Sequence, residues 1–217
     1  MPITAIDKTM KQDLERLISL AFQEAKIKSL EHERQQEPNL KLIHAQRSRY
    51  WIERLAENLL LTTLHDRPGD EEYLAFYRSK EYDENGLKQR QIFGLNEFLF
   101  DVVVGKMVDI PTASTQPNLQ SVYLTLKGIE KAIWIVESEF QFKNSRALLL
   151  DINKLAVSKA KNKLFIISLD ENSRINEWAK DVIKKLMKGD DANVYLASVP
   201  HPKNWLIQDQ ILLEEII

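Results

Sequence analysis

Apolar residues recur every three or four positions through residues 7–33, at Leu14, Leu17, Ile18, Ala21 and Ala25. That spacing gathers them on one side of a helix, with Lys11, Glu15, Arg16 and Glu24 on the other. The polar run after Lys26 and the proline at 38 end it. A second helix is predicted over residues 42–64, with Ile43, Trp51, Ile52, Leu55, Leu59 and Leu60 as its apolar stripe. Residues 66–70 read as a turn, and 71–79 as a short helix packing Tyr73, Leu74, Phe76 and Tyr77. Asn85-Gly86 marks a further turn.

From about Gln91 the pattern turns from helical to β. Residues 96–104 read as a strand with Glu97, Leu99, Asp101 and Val103 on one face. Residues 111–118 form a polar loop bracketed by Pro111 and Pro117, and 122–126 a short strand. Residues 131–141 hold the most β-prone run, Ala132-Ile133-Trp134-Ile135-Val136, which reads as a strand buried on both faces. A helix follows, capped by Asn144 or Ser145 and running to about Ala160. Then come a strand at 164–169, a helix at 173–187 and a strand at 194–199 stopped by Pro200. The tail, 205–217, fits a strand or a closing helix. Strands alternating with helices predict crossovers and a mixed or parallel sheet. The expectation is one domain over 1–217, with a mainly helical part at 1–80 and an α/β core at 90–200.

Composition narrows the chemistry. The chain has 217 residues, 29% of them charged, and a formal net charge of -2, so it carries no global basic signature. With no cysteine, disulfides, thiolate metal sites and cysteine catalysis are excluded. His32, His44, His65 and His201 show no metal spacing, and no glycine motif for nucleotides is present. No signal-peptide pattern opens the chain and no window suits a membrane span, so a cytoplasmic protein is expected.

Acids inside apolar strands are the candidate chemistry. Glu137 and Glu139 are two apart, so they share a strand face. Asp101 lies in the other strongly β-prone segment. If those strands are neighbours, the three carboxylates converge, and converging carboxylates need a cation. Oxygen ligands suit Mg²⁺ or Mn²⁺, and the chemistry that follows is metal-assisted hydrolysis of a phosphodiester. Lys154, in the helix after the acidic strand, either stabilises negative charge in that site or pairs with Asp151 at the surface. Glu53 and Glu57 share a helix face; they either form a salt-bridged surface with their neighbours or send one carboxylate toward the acidic strands.

Asp101 in an apolar strand, then IWIVESEF, then an amphipathic helix and an apolar strand resemble the PD-(D/E)xK nuclease-like superfamily over residues 97–169. The resemblance implies a restriction-endonuclease-like αβββαβ core, a central mixed sheet flanked by helices, here following an N-terminal helical segment. It implies Asp101 and Glu137 as metal-ligand acids, with the leading glutamate coming from the second helix, at Glu53 or Glu57. The family's lysine position falls on Glu139, a departure that some members share, and Lys154 stands where other members place a displaced lysine. A register two residues later, Glu139 with Gln141, also fits the pattern. The implied activity is a Mg²⁺- or Mn²⁺-dependent nuclease with nucleic acid, DNA foremost, as partner. The alternative is a binding or scaffold module whose acids no longer catalyse. A homodimer is permitted, and no membrane partner is expected.

Overall fold

The computed structural model describes residues 5–34, 40–65, 69, 71–77, 99–111, 125–140, 144–169 and 174–217. Among them are four α-helices and one six-stranded mixed sheet. In chain order these are α1 (Ala5–Glu33), α2 (Leu40–His65), β1 (Tyr73–Tyr77), β2 (Val102–Pro111) and β3 (Thr125–Glu139). Then come α3 (Ser145–Val157), β4 (Asn162–Ser168), α4 (Arg174–Leu186), β5 (Asn193–Val199) and β6 (Leu212–Glu215). The strands lie in sequence order across the sheet. β1/β2, β2/β3 and β5/β6 pair antiparallel, while β3/β4 and β4/β5 pair parallel, the two places where a helix makes the return.

Each sheet face is covered. α1 and α2 bring Ile18, Phe22, Trp51 and Leu55 onto Val102, Trp134, Val136 and Tyr195. α3 and α4 bring Leu148, Ile152, Ala179 and Ile183 onto Ile135, Phe165, Ile167 and Leu196. Each fully buried aliphatic side chain of this kind contributes about 1.5–3 kcal/mol. Three tryptophans, Trp51, Trp134 and Trp205, sit in the first core, and Trp178 packs against the second. Phe22 meets Trp51 and Trp205 edge-on, with centroids 6.1 and 5.3 Å away.

Several predicted elements change. Residues 73–77 are a strand, not a helix: Tyr73, Ala75 and Tyr77 enter the α1/α2 core and Phe76 the other, so both faces are apolar and no polar alternation betrays the strand. β2 begins at Val102, later than predicted, and leaves Asp101 in a bend just before it. Residues 125–126 belong to β3 itself, which runs unbroken through Lys127-Gly128. A Cβ at Gly128 would lie 2.5 Å from Ile110 Cδ1 across the strand pair, so a larger residue there would make the exposed Ile110 side chain turn aside. α3 stops at Val157, three residues before its predicted end, because the Ser158 N–H and Oγ both donate to Leu155 O, at 3.2 and 2.7 Å. Its start is capped as expected, Asn144 Oδ1 accepting from the Ala147 N–H at 3.1 Å. The tail contributes β6, the strand of its two predicted forms. The breaks at Pro38 and Asn85-Gly86, strand residues 96–98 and the 112–118 loop lie outside the described residues.

Candidate active site at the end of the central strand

β2 and β3 pair with Val102 opposite Val136, which brings Asp101 beside the last turns of the central strand. Asp101 Oδ2 accepts two hydrogen bonds from one residue, from Ser138 N at 2.7 Å and from Ser138 Oγ at 2.6 Å. Burial nevertheless pushes the Asp101 pKa above the usual carboxylate range; the Ser138 donors and Lys154 oppose that, and the Asp151 charge adds to it.

Glu137 is the most deeply buried acid of the group. Its side chain is 3% exposed on the α3 side of the sheet. Oε1 lies 3.1 Å from Lys154 Nζ, yet accepts no aligned hydrogen bond among the described residues. Burial first, then the Asp101 charge, push its pKa up to about 8, against the pull of Lys154. Lys154 also holds Asp151 Oδ1 at 2.8 Å, one helical turn back. Burial works against its ammonium, but Asp151 and Glu137 outweigh that and raise its pKa above that of a free lysine. The two partners pull in different directions: Lys154 behaves as a firm cation, while Glu137 resists ionising. Asp151 reconciles them, because it supplies the negative charge that keeps Lys154 protonated whether or not Glu137 is ionised.

Lys154 thus pairs with Asp151 and reaches Glu137 from the same ammonium. Glu139 is the last residue of β3, half-buried, on the strand face of Glu137. Among the described residues no three His, Asp or Glu side chains are grouped as a metal site. Gln141 lies outside the described residues. Glu53 and Glu57 take the salt-bridged reading: Glu53 meets Lys28 of α1 at 3.1 Å and Glu57 meets Arg54 at 2.7 Å, on the opposite side of the sheet.

Ser138 escaped the sequence reading. Its only signal was a polar residue on the apolar face between Val136 and Phe140. The fold also brings together two histidines that are remote in sequence: the rings of His44 and His201 are 6.3 Å apart, with Phe140 6.2 Å from His201. Burial lowers both pKa values, and Arg47 and Lys203 lower that of His44 further. That cationic setting disfavours a metal between the two rings.

No family model matches the chain, and neither a curated protein nor a solved structure matches it.

Proposed function

We propose that the protein is a metal-dependent phosphodiester hydrolase acting on nucleic acid, with Asp101, Glu137 and Lys154 as its working groups. The observation that carries this reading is the Glu137 carboxylate. It is buried on a strand otherwise committed to the core, pushed up to about 8, and left with an oxygen that accepts no aligned hydrogen bond. Taking a carboxylate out of water costs several kcal/mol, and the Lys154 ammonium, 48% exposed and shared with Asp151, offsets that only in part. The order α2, β1, β2, β3, α3, β4 agrees with the αβββαβ core implied by the resemblance to PD-(D/E)xK nucleases.

The Glu137 Oε1, which accepts no aligned hydrogen bond among the described residues, and the adjacent Asp101 fit a hard divalent cation, Mg²⁺ or Mn²⁺, with Glu139 as the further carboxylate on that face. When bound, the metal would polarise a phosphate and lower the pKa of a water. The remaining work falls to the chain. Ser138 fixes the Asp101 carboxylate through two donors. Lys154 places an ammonium where negative charge would develop on a phosphoryl oxygen, and Asp151 anchors that ammonium.

One observation favours the second reading, a binding module with idle acids. Asp101 is already satisfied by Ser138, and Lys154 already stands against Glu137, so the group can rest without metal. The test is incubation with supercoiled plasmid, single-stranded DNA and RNA in Mg²⁺ or Mn²⁺. Cleavage by the native chain, lost in Asp101→Asn, Glu137→Gln and Lys154→Met, is the expected result. An inert native protein would leave the binding module.

A further inference from the structure

Lys163 is fully buried, and its ammonium ties two surface connections together. It donates to Ser158 O at 2.8 Å, in the link from α3 to β4, and to Asp190 Oδ2 at 2.6 Å, in the link from α4 to β5. The Asn193 N–H donates to Lys161 O at 3.0 Å, which draws the same two links side by side. Lys159 and Lys161 lie in the first link, and Lys184, Lys185 and Lys188 lie in the last turn of α4 and just beyond. All five are exposed, and among the described residues no ion pair engages any of them. The acids at hand are few. Asp190 is taken up by Lys163, leaving Asp191, Asp181 one turn earlier on α4, and Asp13 of α1, which lines a cavity with Lys161.

Five ammonium groups with no ion pair among the described residues, on two adjoining links and the last turn of α4, repel one another in a chain whose formal net charge is -2. Such a concentration of charge on an otherwise acidic molecule fits a polyanion. Its position says which one. Trp134 pairs with Asn162 and Glu137 with Phe165, so Lys161, the nearest patch residue, lies four residues along the parallel strands from Glu137, about 13 Å. Glu137 and the α4 lysines lie on the α3/α4 side of the sheet, and Lys161 stands at its edge, where it also borders a cavity with Leu14 and Leu17 of α1. A nucleic-acid strand presents a phosphate about every 3.4 Å of duplex axis, so roughly four phosphates separate the patch from Glu137.

We propose that Lys159, Lys161, Lys184, Lys185 and Lys188 form a docking surface for the sugar–phosphate backbone of a duplex whose neighbouring phosphate reaches Glu137. The proposal rests on the hydrolase reading for its substrate, but its binding step does not need the acids. Lys163 is the positioning residue: it neutralises Asp190 and holds the two lysine-bearing links in register.

The test is anisotropy of a labelled 20-base-pair DNA duplex in EDTA, where metal-dependent cleavage does not enter. The native chain is compared with Lys159→Ser/Lys184→Ser/Lys188→Ser and with the same three positions changed to Arg. The native affinity should fall linearly with salt on logarithmic axes. The Ser variant should bind about tenfold or more weakly at 0.1 M salt, with a slope smaller by about 2–3, at roughly 0.9 per lost phosphate contact. The Arg variant should bind as the native chain does. The proposal is overturned if the native chain fails to bind at low salt, or if the Ser variant keeps native affinity and slope. It is also overturned if the Ser changes abolish binding to phosphatidylserine vesicles and leave duplex binding intact. Salt-dependent binding lost in the Ser variant, from a native chain that cleaves nothing, would sink the hydrolase reading and keep the patch. Cleavage with unaltered Ser-variant binding would do the reverse.

Discussion

Lys154 and Lys163 lie on the same side of the sheet, and each grips an aspartate, Asp151 at 2.8 Å and Asp190 at 2.6 Å. Their surroundings differ. The Lys163 side chain is wholly buried, and its second donor meets a backbone carbonyl, so its charge is balanced by one acid and its protons by two acceptors. The Lys154 side chain is 48% exposed and faces a second, desolvated acid, with Asp101 close behind. One cluster is closed and balanced; the other carries more acid than base and opens to solvent. Burial alone does not separate a strut from a reactive group. The balance of charges around the buried member does.

That contrast can be broken by substitution. The largest effect should come from Lys163→Met, which leaves Asp190 and the Ser158 carbonyl without their donor. Removing one partner of a buried pair costs about 3–5 kcal/mol, and the partial exposure of Asp190 places this loss near about 3 kcal/mol. Urea unfolding measures it; a loss under about 1 kcal/mol would mean that the strut is dispensable.

Glu137→Gln should act in the opposite direction, and only at high pH. The native group has its pKa raised to about 8 from 4.5, so its contribution is full below about pH 4.5 and is lost as pH rises through about 8. The neutral amide keeps the shape without that loss. Without divalent metal the variant should match the native chain at pH 5 and exceed it by about 2 kcal/mol at pH 9, at about 1.4 kcal/mol per pKa unit and allowing for the Lys154 partner. Equal stability differences at both pH values would show that Glu137 ionises freely in the fold.

Ser138→Ala removes one of the two donors to Asp101 and should cost about 1 kcal/mol. It should also raise the Asp101 pKa further, which a carboxyl-carbon NMR titration reads directly. The smallest stability effect belongs to Lys154→Met, under about 1 kcal/mol because the ammonium is half in water. If the proposed chemistry is right, the same substitution has the largest effect on cleavage. The two lysines thus exchange ranks between a stability assay and a cleavage assay, and a Lys154→Met chain that cleaves normally would erase the comparison.

The long amphipathic helices were legible because one face of each meets solvent, and a 3.6-residue period needs a polar face to be seen. β3, β4 and β5 were legible as short apolar runs between helices. β1 was not, since both its faces are buried and Tyr73-Leu74-Ala75-Phe76-Tyr77 then looks the same as a helix fragment. The proximity of Asp101 and Glu137 followed from two β-prone segments being neighbours. What the pattern could not carry was the tether: Ser138 grips Asp101 across 37 residues of chain, a contact made by register and not by local preference. Lys163 is hidden for a similar reason. Coming after two other lysines in Lys159-Ala160-Lys161-Asn162-Lys163 it reads as surface, and only the alternation of β4 turns it inward.

The placement of the tryptophans gives the two faces of the sheet different voices in an optical experiment. Three of the four indoles, Trp51, Trp134 and Trp205, belong to the α1/α2 core, and Trp178 alone packs against the other. An intrinsic-fluorescence melt therefore reports mainly the loosening of the α1/α2 side, while far-ultraviolet dichroism weighs all four helices by length. Coincident curves would mark the sheet as a rigid partition through which both cores melt as one. A fluorescence midpoint displaced from the dichroism midpoint would show that the side carrying Glu137 and Lys154 can loosen on its own schedule.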